Sequence, residues 1–396
     1  MFDVNRFGDR LALSYDAASY RRVIAGHDVI LHCHHYNSRL QNTIEGATQI
    51  DGKGILRRAA EGVFAAQIAS AFRPDDDVAR KWAVAQSLYG HLGYGWFDVD
   101  EIARGVVTAS ASHFVEGWNA GFPGRSSPVC TFTEGYLQAA LAAVTGKPAR
   151  VTEKECIVTG AAACRFEIDP ARTEPVDANP KQAVTFTPRA MPALPPSNID
   201  AQRIVRALVE MPIHGNTEGL IPAFGVYLAS TPADFYNRIS IDFVAEMAKV
   251  GLGRNARKLL VYDAETCGMN TFRGIMSSPE WEGLVGPMIR EYDDNLFGIV
   301  AVSNALGWGN WHVTAHRSGV TARIESFNGY EALGYLGYRG EASEPQCMML
   351  TGVAAGIMEL VYSKGSIADR FGTFASAEHE CISCGEESCV FQVEKT

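Results

Sequence analysis

The feature that most constrains this chain is an internal repeat. Read in order, Tyr36-Asn37 returns as Tyr236-Asn237, Ala60-Glu61 as Ala264-Glu265 and Leu92-Gly93-Tyr94-Gly95 as Leu306-Gly307-Trp308-Gly309. Further on, Pro128-Val129-Cys130 returns as Pro345-Gln346-Cys347, and Cys156 and Cys164 return as Cys381 and Cys389. The separations grow from 200 through 204, 214 and 217 to 225 and never shrink. A single dipeptide match means little, but an ordered set whose spacing only grows is what a tandem duplication with loop insertions leaves behind.

Between the copies lies a segment of different composition. Seven of the 17 prolines (Pro170, Pro175, Pro180, Pro188, Pro192, Pro195, Pro196) fall between Ile168 and Asn198, among Asp169, Glu174, Asp177 and Asn179 and without helical periodicity. Proline restricts such a stretch to a semi-extended linker. The expected organisation is a first unit over 1–168, a linker over 169–199 and a second unit over 200–396; 396 residues suffice for two ordinary cores.

Each half reads as helices followed by a small sheet. Apolar residues recur every three or four positions in 36–46 and 55–72, which predicts helices. Residues 93–99 and 105–112 alternate like two strands of a hairpin, matched by 307–313 and 319–326. A long helix follows over 132–144, stopped by Gly146 and Pro148, with its counterpart over 348–363 stopped by Gly365. Short strands at Cys164-Arg165-Phe166 and Cys389-Val390-Phe391 close the two halves. The fold class is therefore α+β.

Charge and hydropathy exclude some partners. With 45 acidic against 35 basic residues, the net charge of -10 leaves no basic surplus for phosphates, so nucleic acid is not an expected partner. No window approaches the uninterrupted apolar length of a membrane span, and Asp3, Arg6, Asp9 and Arg10 sit where a signal peptide needs an apolar core. The reading is a soluble, cytoplasmic protein, and in that compartment clustered cysteines are more often metal ligands than disulfides.

The cysteines do cluster. In the first half Cys130 precedes the long helix, Glu153 and Cys156 stand three residues apart after it, and Cys164 opens the last strand. Three thiolates and a carboxylate gathered at one turn suit a tetrahedral zinc ion with no open position, which is a structural site. The second half repeats the set as Cys347, Glu378, Cys381 and Cys389, where Cys384 also forms a Cys-x-x-Cys with Cys381, leaving Cys384 or Glu378 as the fourth ligand. Against this stand buried, metal-free cysteines acting as small hydrophobes, and a redox pair at Cys381 and Cys384 without the βαβ surroundings such pairs have.

These residues resemble a family. Pro128-Val129-Cys130, Gly135-Tyr136, Gly146-Lys147-Pro148, Glu153-Lys154-Glu155-Cys156 and Cys164-Arg165-Phe166 are similar to the 4-vinyl reductase domain, above all as it occurs in the sensor domains of phenol-responsive bacterial transcription activators. The resemblance is specific over about 92–168. It implies two tandem units, each with helices packed on a small antiparallel sheet and a zinc-bearing lobe, forming an intrachain pseudo-dimer. It implies zinc at both cysteine–glutamate sets and an apolar ligand pocket beside each lobe. In the phenol sensors a histidine and a tryptophan hold the phenol hydroxyl; His91 falls at the place of the histidine, but Ala109 at that of the tryptophan, and the second half has Ala305 and Arg323 there. The ATPase and helix-turn-helix domains of the activators are not found in this sequence.

The expected function is thus binding or sensing of a small aromatic or apolar molecule, with no DNA-binding output of its own and hence a protein partner for output. A homodimer is compatible with the dimerising unit of the family. His91, Tyr94, Trp96, His34 and His35 are the candidate ligand-binding residues. The rival readings are an enzyme using the same pocket, with His91 or the His32, His34 and His35 cluster as acid/base or as a second, open metal site, and an accessory protein of a biosynthetic complex. Adjacent histidines point in different directions, so a strand-to-helix junction explains that cluster equally well. Tyr89, Tyr94, Trp96 and Phe97 suit hairpin packing, and Arg323 and Glu325 suit a solvated strand face. No nucleotide-binding glycine motif and no nucleophile elbow is present.

Overall fold

The computed structural model describes Asp3, residues 6–177 and residues 180–396; residues 1, 2, 4 and 5 of the expected first unit, and residues 178 and 179 of the expected linker, among them Asn179, lie outside them. Three antiparallel sheets organise the described residues. One four-stranded sheet runs in the order Gly95–Asp98, Val106–Ser112, Cys164–Asp169, Arg150–Glu155, and a second in the order Trp311–Arg317, Thr321–Ser326, Cys389–Lys395, Phe374–Glu380. The strand order is the same in both. The two expected hairpins form, the second with its first strand at Trp311–Arg317 in place of the expected 307–313, and both closing strands are in place and run on to Asp169 and Lys395.

The helices match in the same way. His34–Gly46, Gly52–Ser70, Val78–His91, His113–Gly121 and Thr131–Thr145 in the first half answer to Ala233–Lys249, Gly253–Met276, Asp294–Ala305, Tyr330–Arg339 and Met348–Tyr362 in the second. Thr131–Thr145 is buried on nearly every side, so its periodicity is weak; what ends it is Gly146, at φ 71 in the left-handed region.

The third sheet was not expected. Its five strands run Ser14–Asp16, Arg21–Ile24, His27–Cys33, Val226–Pro232, Ile221–Ala223, so both halves contribute to it. Val29 to Cys33 and Leu228 to Pro232 are buried on both faces and show no alternation, which is why the period-two pattern misses them. The pairing is self-symmetric. An offset of 199 takes Cys33 to Pro232 and Leu31 to Ser230, and the observed partners are Val29 with Pro232, Leu31 with Ser230 and Cys33 with Leu228. A pseudo-twofold axis therefore passes through the Leu31–Ser230 pair.

The repeated Leu-Gly-aromatic-Gly motifs cross this axis. Leu31 N–H donates to the Leu306 carbonyl at 3.0 Å, and Ser230 N–H donates to the Leu92 carbonyl at 2.8 Å. Trp308 Nε1 donates to the Leu31 carbonyl at 3.0 Å, while Tyr94 Oη bonds Thr231 Oγ1 at 2.8 Å. Each half thus hangs its hairpin on the other half's central strand. The glycines follow from this: a Cβ on Gly93 would meet the Leu228 carbonyl at 2.7 Å, and one on Gly307 the equivalent Val29 carbonyl at 2.7 Å, with φ at +91° and +88°.

Backbone atoms cannot step aside as side-chain tips do. Gly93→Ala and Gly307→Ala should each lower stability in urea unfolding by about 2 kcal/mol or more. Gly283→Ala, where a Cβ meets nothing within 4 Å, should stay within about 0.5 kcal/mol of the parent.

Candidate metal centres and ligand residues

Cys130 sits at the entrance of the Thr131–Thr145 helix, and this helix also places the carboxylate opposite it. Gln138 Oε1 accepts from Val151 N–H at 3.0 Å and Glu134 Oε1 accepts from Glu153 N–H at 2.8 Å, so two helix side chains cap the open edge of the Arg150–Glu155 strand. A register shift between Glu153 and Glu155 turns the chain, and the strand ends into Cys156 and a short 3₁₀ turn. The same shift falls between Glu378 and Glu380 in the second half.

The result is two matching donor sets, Cys130, Glu153, Cys156, Cys164 and Cys347, Glu378, Cys381, Cys389, each with its ligand atoms within 4.8 Å of one another. Cys164 Sγ lies 3.7 Å from both Cys130 Sγ and Cys156 Sγ. In the second set the three sulfur separations are 3.6, 3.9 and 4.0 Å. Disulfides need about 2 Å, whereas the edge of a tetrahedron with bonds of about 2.3 Å is about 3.8 Å. Glu378, and not Cys384, stands in the second set.

Each carboxylate is held by one oxygen and spare in the other. Cys130 N–H donates to Glu153 Oε2 at 2.7 Å and Cys347 N–H to Glu378 Oε2 at 2.9 Å, while Glu153 Oε1 and Glu378 Oε1 are buried without a hydrogen-bond partner. Burial first, and then the neighbouring Cys156 or Cys381, pushes the carboxyl of Glu153 up to about 8 and that of Glu378 up to about 9. Cys156 and Cys381 are pushed down, because the two other thiols of each set donate to them. Negative charge in a dry site is costly until a cation offsets it, so both sets could hold a metal ion.

The two sets differ in cover. All four residues of the first are buried, whereas Glu378 is half-buried and, with Cys347, lines a cleft of about 360 Å³ beside Arg257 and Lys258. Among the described residues, no other group of three or more His, Cys, Asp or Glu lies close enough to share an ion.

The histidines are spread over three surroundings. His32 is enclosed by the rings of Tyr36, Tyr236 and Trp308 at 4.6, 4.7 and 4.9 Å, with both nitrogens unpartnered, and burial holds its pKa down at about 3. His34 opens its helix, as the junction reading expects, and its Nδ1 lies 3.1 Å from Tyr227 N–H, which donates to it. His35 stacks on His34 at 3.9 Å, and His113 stands 6.3 Å from His34 with its Nε2 2.9 Å from Asn37 Nδ2. His91 is elsewhere, at the end of the Val78–His91 helix, stacked at 5.9 Å on His214 with Nδ1 buried and unpartnered. The sequence reading missed His113; its only signal was its place directly after the hairpin.

Tyr94 lies in a ring cluster with Phe132 at 4.5 Å and Tyr89 at 5.4 Å, and Tyr89, Phe97 and Tyr136 continue it. Trp96 is half-buried opposite Ala111 on the first hairpin. One expectation is corrected: Glu325 is not solvated. It is 2% exposed and accepts from Arg323 Nε at 2.9 Å and from Arg189, because the linker lays Arg189 over that strand.

With the geometry in view, comparisons with known proteins locate one family. Residues 111–170 match the V4R domain, the 4-vinyl reductase family that the motifs resemble, and this span holds the whole first donor set. The phenol-responsive sensory domain of the transcription activator PoxR, in a crystal structure with phenol, is 19% identical, covers 42% of this chain and 88% of its own, and superposes with a TM-score of 0.34. No curated protein matches the chain. Among the described residues no helix is long and apolar enough to cross a membrane.

Burial holds the pKa of both His34 and His91 down at about 4, against about 6.5 in an unfolded chain. The unfolded state then binds more protons between these values, so their contribution to stability is complete above pH 6.5 and falls away towards pH 4. Urea unfolding over that range should show this loss, and His91→Gln should flatten the slope.

Proposed function

We propose that this chain is a zinc-containing protein that binds, and thereby senses, a small molecule, built as two V4R-like units over 1–168 and 200–396 joined by the 169–199 linker. The observation that carries the metal reading is the doubled one: twice, three thiols at tetrahedral spacing face a buried carboxylate oxygen with no partner. Zinc suits three thiolates and a carboxylate. Cys130, Glu153, Cys156 and Cys164 would hold one ion, and Cys347, Glu378, Cys381 and Cys389 the other.

Four protein ligands leave no open position, so zinc here would supply structure. The ion would tie the helix entrance at Cys130 to the returning strand and the final strand, which fixes the floor of each small sheet. Binding is favoured over catalysis because the histidines that would serve as acid and base are held neutral by burial and spread over separate surroundings. Sensing of this kind would act through a protein partner.

Metal analysis of freshly purified protein should give two zinc ions per chain. Cys130→Ser and Cys347→Ser should each lose one ion and lower the melting temperature. A chelator should extract the second ion first, since Glu378 borders an open cleft and Glu153 does not. Absence of zinc from the parent protein, or retention of both ions in these variants, would sink the reading.

A further inference from the structure

A cleft lies away from both donor sets. It has a volume of about 410 Å³ and opens between the hairpin around Arg21, the 181–188 part of the linker, and the starts of the Ala233–Lys249 and Tyr330–Arg339 helices. In its wall stands a buried cation without an ion pair. Arg21 is 8% exposed; its Nη2 donates to the Asn328 carbonyl, its Nη1 has no hydrogen-bond partner, and no carboxylate lies within 4.0 Å of it among the described residues.

The other charges of the cleft do not neutralise it at close range. Asp234 is paired with Lys181 at 3.0 Å, and Asp28 lies beyond ion-pair distance. Both helices that start at the cleft lack a side-chain cap, so their first amide groups add positive potential. Opposite these polar groups the wall is apolar, with Val184, Phe186, Phe327 and Leu333.

Only one half builds this arrangement. The symmetry that relates the central strands places Leu220 where Arg21 stands, and His34, His35 and His113 where Ala233, Asp234 and Tyr330 line the cleft. One copy has filled its cleft with rings and the other has kept it open beside a guanidinium.

We propose that this cleft binds a small amphipathic monoanion, an aryl or alkyl carboxylate, with Arg21 holding the carboxylate and the linker wall covering the apolar body. One free guanidinium nitrogen beside uncapped helix starts selects a single negative charge, and the Phe186–Phe327 side selects a hydrocarbon. This inference rests on the small-molecule-binding reading and names its site and ligand class.

The test is calorimetric titration of the full-length, zinc-loaded chain with 4-phenylbutanoate and octanoate, beside 4-phenylbutanol and octanol. The acids should bind at least about tenfold more tightly than the alcohols, and more weakly as salt is raised. Arg21→Met keeps the stem and removes the charge; it should cost the acids about tenfold or more and leave the alcohols unchanged, with circular dichroism and zinc content as for the parent. Val184→Trp, on the linker wall, should abolish binding of both and serves if Arg21→Met does not fold. Equal binding of acid and alcohol, acid binding unaffected by either variant, or no acid binding to the parent overturns the proposal. If phenol or a co-purified neutral compound binds while the acids do not, this site assignment falls and the small-molecule reading stands; if native mass spectrometry and titration find no ligand of any kind, both fall.

Discussion

The rest of the structure depends on the antiparallel pairing of His27–Cys33 with Val226–Pro232. The pairing joins the two halves through main-chain hydrogen bonds, and its symmetry about Leu31 and Ser230 sets where every other repeated element must lie. Because the Leu-Gly-aromatic-Gly segment that leads into each half's hairpin bonds to the other half's strand, neither copy completes its own backbone hydrogen bonding at these positions. The Pro-rich linker touches both halves, since Arg172 pairs with Glu61 of the first and Lys181 and Arg189 pair with Asp234 and Glu325 of the second.

The small sheets are organised around a different constraint. Their edge strands carry Glu153 and Glu378, and an edge needs its open amides satisfied. In the first half Gln138 and Glu134 do this; in the second Glu359 accepts from Phe374 N–H and Glu265 from Gly372 N–H. The side chains differ, yet the position of the carboxylate against three thiols is the same. That a donor set persists while its supports change fits a site whose geometry is set by a bound ion.

The two halves differ where symmetry imposes nothing. Around the axis the first copy presents His32, His34, His35 and His113, and the second presents Thr231, Ala233, Asp234 and Tyr330. At the counterpart of the second copy's cleft the first copy has the rings of His34, His35 and His113. The second keeps its cleft beside Arg21 of the first, so a site of one copy depends on a residue of the other.

The sequence by itself determined the repeat, the α+β class, the hairpins, the long helices, the first of them ended by Gly146, the whole first donor set and the three cysteines of the second. These are local or periodic properties: spacing, alternation, a left-handed stop after a helix. Only the tertiary structure decided the central sheet, because strands buried on both faces carry no alternation, and it decided Glu378 over Cys384, because both lie within reach along the chain and only folding brings one to the thiols. It also decided the surroundings of Arg21, His113 and Glu325, whose partners Asn328, Asn37 and Arg189 stand far from them in sequence. A hydrogen bond between distant segments leaves no period to read, so its partners appear only when the chain has closed on itself.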